Sequence, residues 1–166
     1  GGNNSVVTGD ATVTFTNNSG LYDNLKLGTV SGGGNGKAAR IDGTSTLVLD
    51  NYSGNFKATI KDFDTVTISG KSAVILTKGQ NKTMTGATYE FVINDDTLGL
   101  QGAMLTWDSK AVFSNIVVSV ETSSAIDVTL IQSKQFKTAT AFNIDAVLVV
   151  NADGEYMTVW WDPLSG

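Results

Sequence analysis

Two pairs of acidic residues are the first candidates for chemistry in this chain. Asp62 and Asp64 are separated by one residue, and Asp95 is followed directly by Asp96. On a β-strand, side chains two positions apart point to the same face, so Asp62 and Asp64 could together hold a calcium ion or serve as an acid and a base. Acidic residues at strand ends also form exposed turns, which is the alternative interpretation. We therefore name Asp62 and Asp64 as a candidate calcium site and expect no other cofactor.

Aromatic residues form a second group of candidates, concentrated towards the C-terminus. Trp160 and Trp161 are adjacent, so on a strand one of them faces the core and the other faces outwards. An exposed indole ring can stack on a sugar or pack into a protein interface. The candidate ligand-binding residues are Trp160, Trp161, Trp107 and Tyr156. The alternative is that both adjacent rings pack, one in the core and one beneath Pro163.

Threonine repeats at alternate positions, as in Thr12-Val13-Thr14-Phe15-Thr16 and Thr65-Val66-Thr67. This pattern is similar to the threonine ladders of ice-binding solenoids. A ladder needs such rows to recur in register on one face, which a sequence does not reveal. Ordinary β-sheets give the same pattern because threonine has a high β-propensity.

The composition excludes several classes of site and partner. The chain of 166 residues contains no histidine and no cysteine, which excludes Ser–His and Cys–His catalysis and the usual zinc sites. A net charge of −5 repels phosphate groups, so we expect no nucleic-acid partner. The chain has no apolar run long enough to span a bilayer, so we expect no membrane insertion. These exclusions predict a protein that is not an enzyme.

Apolar residues alternate with hydroxyl-bearing residues over most of the chain, in short runs bounded by Gly, Asn, Asp or Ser. This period of two predicts an all-β protein. The predicted strands are Ala11–Thr16, Ser45–Leu49, Phe56–Ile60, Thr65–Ser69, Ala73–Thr77, Tyr89–Ile93, Ala103–Trp107, Val112–Val120, Ile126–Ile131, Ile144–Val150 and Tyr156–Trp161.

The turns between these strands favour two architectures. From Thr44 to Trp107 the strands recur at short, similar intervals, which is typical of a parallel β-solenoid. A β-sandwich needs the same short strands and turn residues, so it stays open as the alternative. Asp153-Gly154 is a preferred pair for a tight hairpin turn, and it predicts that Ile144–Val150 and Tyr156–Trp161 form a closing antiparallel hairpin.

One segment carries a family resemblance. Phe63-Asp64-Thr65-Val66-Thr67-Ile68-Ser69-Gly70, followed by the apolar run Ala73–Thr77, resembles the coil repeats of autotransporter passenger domains and related large bacterial surface adhesins. The resemblance covers about Leu47 to Leu105. It implies a right-handed parallel β-helix on a bacterial cell surface.

From these observations we expect one all-β domain over residues 1–166, excised from a larger surface protein. We expect a right-handed parallel β-helix with a C-terminal antiparallel hairpin cap. The expected function is that of a non-catalytic structural or adhesive module, extracellular or on a bacterial cell surface. Its partner would be a host or cell-surface protein or a glycan. The alternative is a carbohydrate-binding β-sandwich module that uses an exposed tryptophan.

Overall fold

The structure is a computed structural model that describes residues 5–18, 26–33, 39–77, 86–143, 147–150 and 156–163. Within these ranges the chain forms β-strands joined by turns, and no α-helix occurs in them. None of the described segments is a helix long and apolar enough to cross a membrane. The prediction of an all-β protein is confirmed. The strands are β1 (Val6–Val7), β2 (Ala11–Asn17), β3 (Lys26–Ser31), β4 (Arg40–Ile41), β5 (Ser45–Asn55), β6 (Lys57–Lys61), β7 (Thr65–Ser69), β8 (Ala73–Leu76), β9 (Thr88–Asn94), β10 (Ala103–Glu121), β11 (Ile126–Asn143), β12 (Val147–Val150) and β13 (Tyr156–Trp161).

Nine of these strands form one curled, open sheet, in which most neighbours are parallel. Strand β2 pairs with β5, β5 with β7, β7 with β9, and β9 with the second half of β10. The register aligns Thr12, Thr46, Thr65, Thr88 and Asn115 in one row across five strands. The threonine pattern therefore does recur in register.

The next outward row, two residues further along each strand, is mixed. It contains Thr14, Val48, Thr67, Glu90 and Val117. This face is thus a β-sheet surface of hydroxyl and branched apolar side chains with one carboxylate and one amide. Only its first row is polar throughout, with four threonines followed by Asn115.

Further pairings extend the sheet to the C-terminal hairpin. The second half of β5 pairs with β8, β8 pairs with the start of β10, and β10 pairs with β11, all in parallel. Strand β13 pairs antiparallel with β11 on one side and with β12 on the other. The antiparallel pairing of β12 with β13 confirms the predicted closing hairpin. Its first strand, β12, begins at Val147. The predicted Asp153-Gly154 turn lies outside the described residues.

Several strands are longer than the sequence predicts. Ala103–Trp107 and Val112–Val120 are predicted as two strands but form one, β10. The predicted strand Ile126–Ile131 continues to Asn143 as β11. Strand β5 continues through Asn51 to Asn55, which the sequence predicts as a polar separator. Two of these long strands change a partner along their length: β5 pairs first with β7 and then with β8, and β10 pairs first with β8 and then with β9.

The core lies on the inward side of the curled sheet, where the in-register rows are apolar. One such row is Val13, Leu47, Val66, Tyr89 and Ile116. Burying such side chains contributes about 1.5–3 kcal/mol each. Aromatic rings close two regions of this core by edge-to-face packing. They are Phe15 and Tyr52 against Phe56, and Tyr89 and Trp107 against Phe113.

Hydrogen bonds between successive corners fix the register of the strands. Where β5, β7 and β9 begin, the Ser45 amide donates to Asp64 Oδ2 at 2.8 Å, and the Thr88 amide donates to the Asp64 carbonyl oxygen at 2.9 Å. After the strands, the Lys71 amide donates to Asn51 Oδ1 at 2.9 Å. Each of these bonds joins two segments at fixed positions, so together they favour one strand register over others.

Candidate functional site

The outer surface of β13 carries the exposed aromatic residues of the candidate site. Along β13, Tyr156, Thr158 and Trp160 point outwards, whereas Met157 and Val159 are fully buried. Tyr156 is 39% exposed and Trp160 is 49% exposed. The alternation of a β-strand places the two aromatic rings on the same side, about 13 Å apart along the strand.

Three residues of β11 lie directly opposite these side chains. The antiparallel register places Asp127 across from Trp160, Thr129 across from Thr158 and Gln132 across from Tyr156. Gln132 Nε2 donates to the Tyr156 hydroxyl at 3.2 Å, and the two threonine hydroxyl oxygens are 3.3 Å apart. We call this surface the hairpin face, and it consists of Asp127, Thr129, Gln132, Tyr156, Thr158 and Trp160.

The hairpin face combines aromatic planes with polar groups on the surface of the sheet. The exposed Trp160 ring offers a surface for stacking, and the Asp127 carboxylate on the neighbouring strand offers a hydrogen-bond acceptor. Cross-strand neighbours of this kind have Cβ atoms about 4.5–5.5 Å apart. A ligand lying on Trp160 would therefore be within reach of Asp127. This arrangement is suited to contact with a polar surface.

The adjacent tryptophans face opposite sides, as predicted from their spacing. Trp160 is exposed, and Trp161 is half-buried and packs against the core. Trp107 is 5% exposed and packs edge-to-face on Phe113, with ring centroids 5.9 Å apart. The Trp107 ring therefore presents little accessible surface, and its role as a ligand-binding residue stays a prediction. Trp160 and Tyr156 come together on one face, and Trp161 and Trp107 do not join them.

Asp62 and Asp64 lie in the turn between β6 and β7, whereas the prediction rested on their sharing one face of a strand. Asp64 Oδ2 accepts hydrogen bonds from the amide and the hydroxyl of Ser45 at 2.8 and 3.3 Å. Asp62 has a φ of 63°, and its Oδ2 accepts a bond from the Ser31 hydroxyl at 3.1 Å. Over the ranges that the structure describes, no third Asp or Glu joins them. Calcium binding there stays a prediction, and the observed contacts stabilise a corner.

Sequence reasoning missed Asp127, Thr129 and Gln132 as members of the candidate site. The alternation in Ile126-Asp127-Val128-Thr129-Leu130 shows that Asp127 and Thr129 face outwards. Which residue lies opposite Trp160 depends on the strand register, which two segments distant in sequence set together. The outward direction was thus readable, but the cross-strand partner was not.

Comparisons with known proteins give no family for this chain. A scan against protein-family models found no match, and neither did searches of curated proteins and of solved structures.

Proposed function

We propose that this protein is a non-catalytic structural and adhesive module of a bacterial cell-surface or secreted protein. In this proposal the scaffold is a parallel β-helix capped by the C-terminal hairpin. The module works extracellularly, by holding a rigid surface against a host or cell-surface protein or glycan.

The observation that carries the proposal is the repeated bonding of each segment to the segment that follows it. Hydrogen bonds between neighbouring segments join residues separated by 34, 19, 20 and 27 positions in the chain, as in Thr44 to Asp10 and Asn115 to Thr88. Together with the parallel registers, these separations are what a chain produces when it advances by one layer per turn. A stack of this kind is rigid because each layer satisfies the backbone groups of its neighbours.

The non-catalytic part of the proposal rests on which chemical groups the chain offers. With no histidine or cysteine, the remaining candidates for acid–base chemistry are mainly carboxylates. Asp64 and Asp50 accept hydrogen bonds from Ser45 and Ser69 at the corners, with distances of 2.8 Å in each case. These carboxylates hold the fold in place, which favours a role through contact.

A carbohydrate-binding β-sandwich module is the second candidate, and the hairpin face favours its binding function. Trp160 is the most exposed of the large apolar side chains in the described ranges, and it lies across from a carboxylate. Stacking on an indole with hydrogen bonds from adjacent polar groups is a general way to bind a sugar.

Both candidates are tested by measuring retention of the labelled protein on immobilised cell-surface proteins and on a glycan array. The adhesive proposal predicts retention on at least one of these surfaces. We expect Trp160→Ala to weaken it about tenfold or more, because an exposed aromatic ring at an interface contributes strongly. Val6→Ala is the matched control, since Val6 is 40% exposed in β1, away from the hairpin face.

The outcomes separate the two candidates. Retention on glycans alone, lost when free sugar is added, would favour the carbohydrate-binding module. Retention on proteins that free sugar does not affect would favour the adhesive module. No retention on any surface, or equal loss in both variants, would contradict the role of the hairpin face.

A further inference from the structure

A cavity of about 320 Å³ lies beside Asn51 and Ser53 of β5 and the turns that follow β7 and β9, and none of its described lining residues belongs to the hairpin face. Its volume is at the lower end of the range typical of small-molecule sites. Among the described residues, four of the lining side chains are uncharged and two are charged. The lining residues are Asn18, Asn51, Ser53, Lys71, Asp96 and Leu100.

The two charged residues line the same cavity without pairing. Lys71 and Asp96 are both exposed, and no ion pair within 4.0 Å joins them. Across the described part of the chain, Arg40 and Asp42 form the one such pair. The ammonium group of Lys71 and the carboxylate of Asp96 therefore both remain available to a ligand.

The backbone that carries these side chains is fixed by hydrogen bonds. The Lys71 amide donates to Asn51 Oδ1 at 2.9 Å, and the Asp96 amide donates to Asn94 Oδ1 at 3.0 Å. Asn51 itself has a φ of 48°, a conformation that favours glycine and is tolerated by asparagine. Because the loops are held in this way, a ligand would not need to order the backbone at the cavity.

We propose that this cavity binds a neutral monosaccharide unit. Lys71 can donate to sugar hydroxyl oxygens and Asp96 can accept from sugar hydroxyl groups, while the Asn18 amide does both. Leu100 gives the apolar surface that the C–H face of a sugar ring needs. The charges of Lys71 and Asp96 cancel, so the cavity favours an uncharged polyol over an anion or a cation.

This inference rests on the cavity alone. It requires neither the β-helix architecture nor binding at the hairpin face, so it can fail or succeed independently of the proposed function.

The test is ligand-observed NMR on the full chain with glucose, galactose, mannose and N-acetylglucosamine at millimolar concentrations, followed by titration of the responding sugar. We expect at least one sugar to bind. Lys71→Ala and Asp96→Ala should each weaken the affinity about tenfold, as expected when a charged hydrogen-bonding partner is lost. Asp96→Asn, which preserves the size of the side chain, guards against loss by misfolding and should also weaken binding. Val6→Ala is the control and should leave the affinity unchanged, because Val6 is exposed in β1 and is not among the residues that line the cavity.

Three results would overturn the inference. The first is the absence of binding by all four sugars. The second is binding that Trp160→Ala abolishes and Asp96→Ala leaves intact, which would place the sugar on the hairpin face. The third is stronger binding of free glycine than of any sugar, since a zwitterion would then be the better fit to Lys71 and Asp96.

Discussion

At the scale of single residues, the Tyr89 hydroxyl group lies in the core without a hydrogen-bond partner among the described residues. The Tyr89 side chain is fully buried, and its ring packs edge-to-face on Phe113 with centroids 4.8 Å apart. A buried polar group without a partner costs about 1–3 kcal/mol. Desolvation by burial also raises the pKa of the Tyr89 phenol well above its ordinary value.

Replacing this residue by Tyr89→Phe removes the hydroxyl and keeps the ring. We expect the free energy of unfolding at pH 7 to rise by about 1 kcal/mol, because the desolvation cost disappears and the Phe113 contact remains. Urea denaturation followed by fluorescence measures the change. A loss of 1 kcal/mol or more would show that the hydroxyl has a stabilising partner.

The same variant tests the pH dependence of stability. Tyr89 stays protonated in the folded state, whereas in the unfolded chain it loses its proton above about pH 10. Above that pH the unfolded state binds fewer protons than the folded state. The contribution of Tyr89 to the free energy of unfolding is therefore complete below pH 10, and it is lost as the pH rises, by about 1.4 kcal/mol per pH unit. Tyr89→Phe should lose less stability than the wild type between pH 10 and 11. If the free energy of unfolding fell equally with pH in the wild type and in Tyr89→Phe, the assigned effect of Tyr89 would be contradicted.

At this scale, side-chain orientation can be predicted from the sequence where local alternation decides it, whereas burial cannot be predicted where packing decides it. The opposite orientation of Trp160 and Trp161 follows from strand geometry alone. The burial of Trp107 does not, because it depends on Phe113, which a strand irregularity brings beside it. Asp62 and Asp64 form a candidate ion site because of their spacing, which does not reveal that Asp64 accepts a hydrogen bond from Ser45, 19 positions away in the chain.

At the scale of elements, the corner between β7 and β8 shows how neighbouring segments of the sheet fit together. Gly70 has a φ of +68°, and a Cβ atom there would lie 2.4 Å from Asn51 Oδ1. The Gly70 carbonyl oxygen also accepts a bond from the Thr97 hydroxyl at 2.8 Å. This glycine therefore lets three successive corners approach one another.

Gly70→Ala should lower the free energy of unfolding by about 1–3 kcal/mol, because alanine is strained at this φ and meets Asn51. Gly9→Ala is the matched control, since no atom lies within 4 Å of a Cβ at Gly9. We expect the control to change stability by less than about 0.5 kcal/mol. Thermal denaturation compares the variants, and equal stability of the two would contradict the assigned role of Gly70.

Element positions were largely predictable, and element lengths were not. Periods of two located β2, β7 and β9 within about a residue or two of their ends. The sequence gives no sign that β10 and β11 run on as long strands, because each continues through polar residues that a short strand would use as a turn. Those residues keep β-structure because a neighbouring strand pairs with them.

At the scale of the whole molecule, the account depends on in-register parallel pairing of segments that are distant in sequence. The periodicity was compatible with both a β-helix and a β-sandwich, because both require short strands and frequent turns. Strand register depends on residues that are distant in sequence, so the pairing of β5 first with β7 and then with β8 is seen only in the structure.

Paired cysteines test this pairing most directly, because the chain contains no native cysteine. We propose the double variants Thr46→Cys with Thr65→Cys, and Ser53→Cys with Ala73→Cys, which join β5 to its two successive partners. Neighbouring strands are about 4.8 Å apart, within the Cα separation that a disulfide allows. A pair shifted by two residues, Thr46→Cys with Thr67→Cys, is the control and is separated by roughly 7–8 Å.

Mass spectrometry after mild oxidation is the measurement. The account predicts that both in-register pairs form disulfides readily and that the shifted pair does so slowly or not at all. Equal oxidation of the shifted pair, or failure of both in-register pairs, would contradict the layered parallel arrangement on which the proposed function rests.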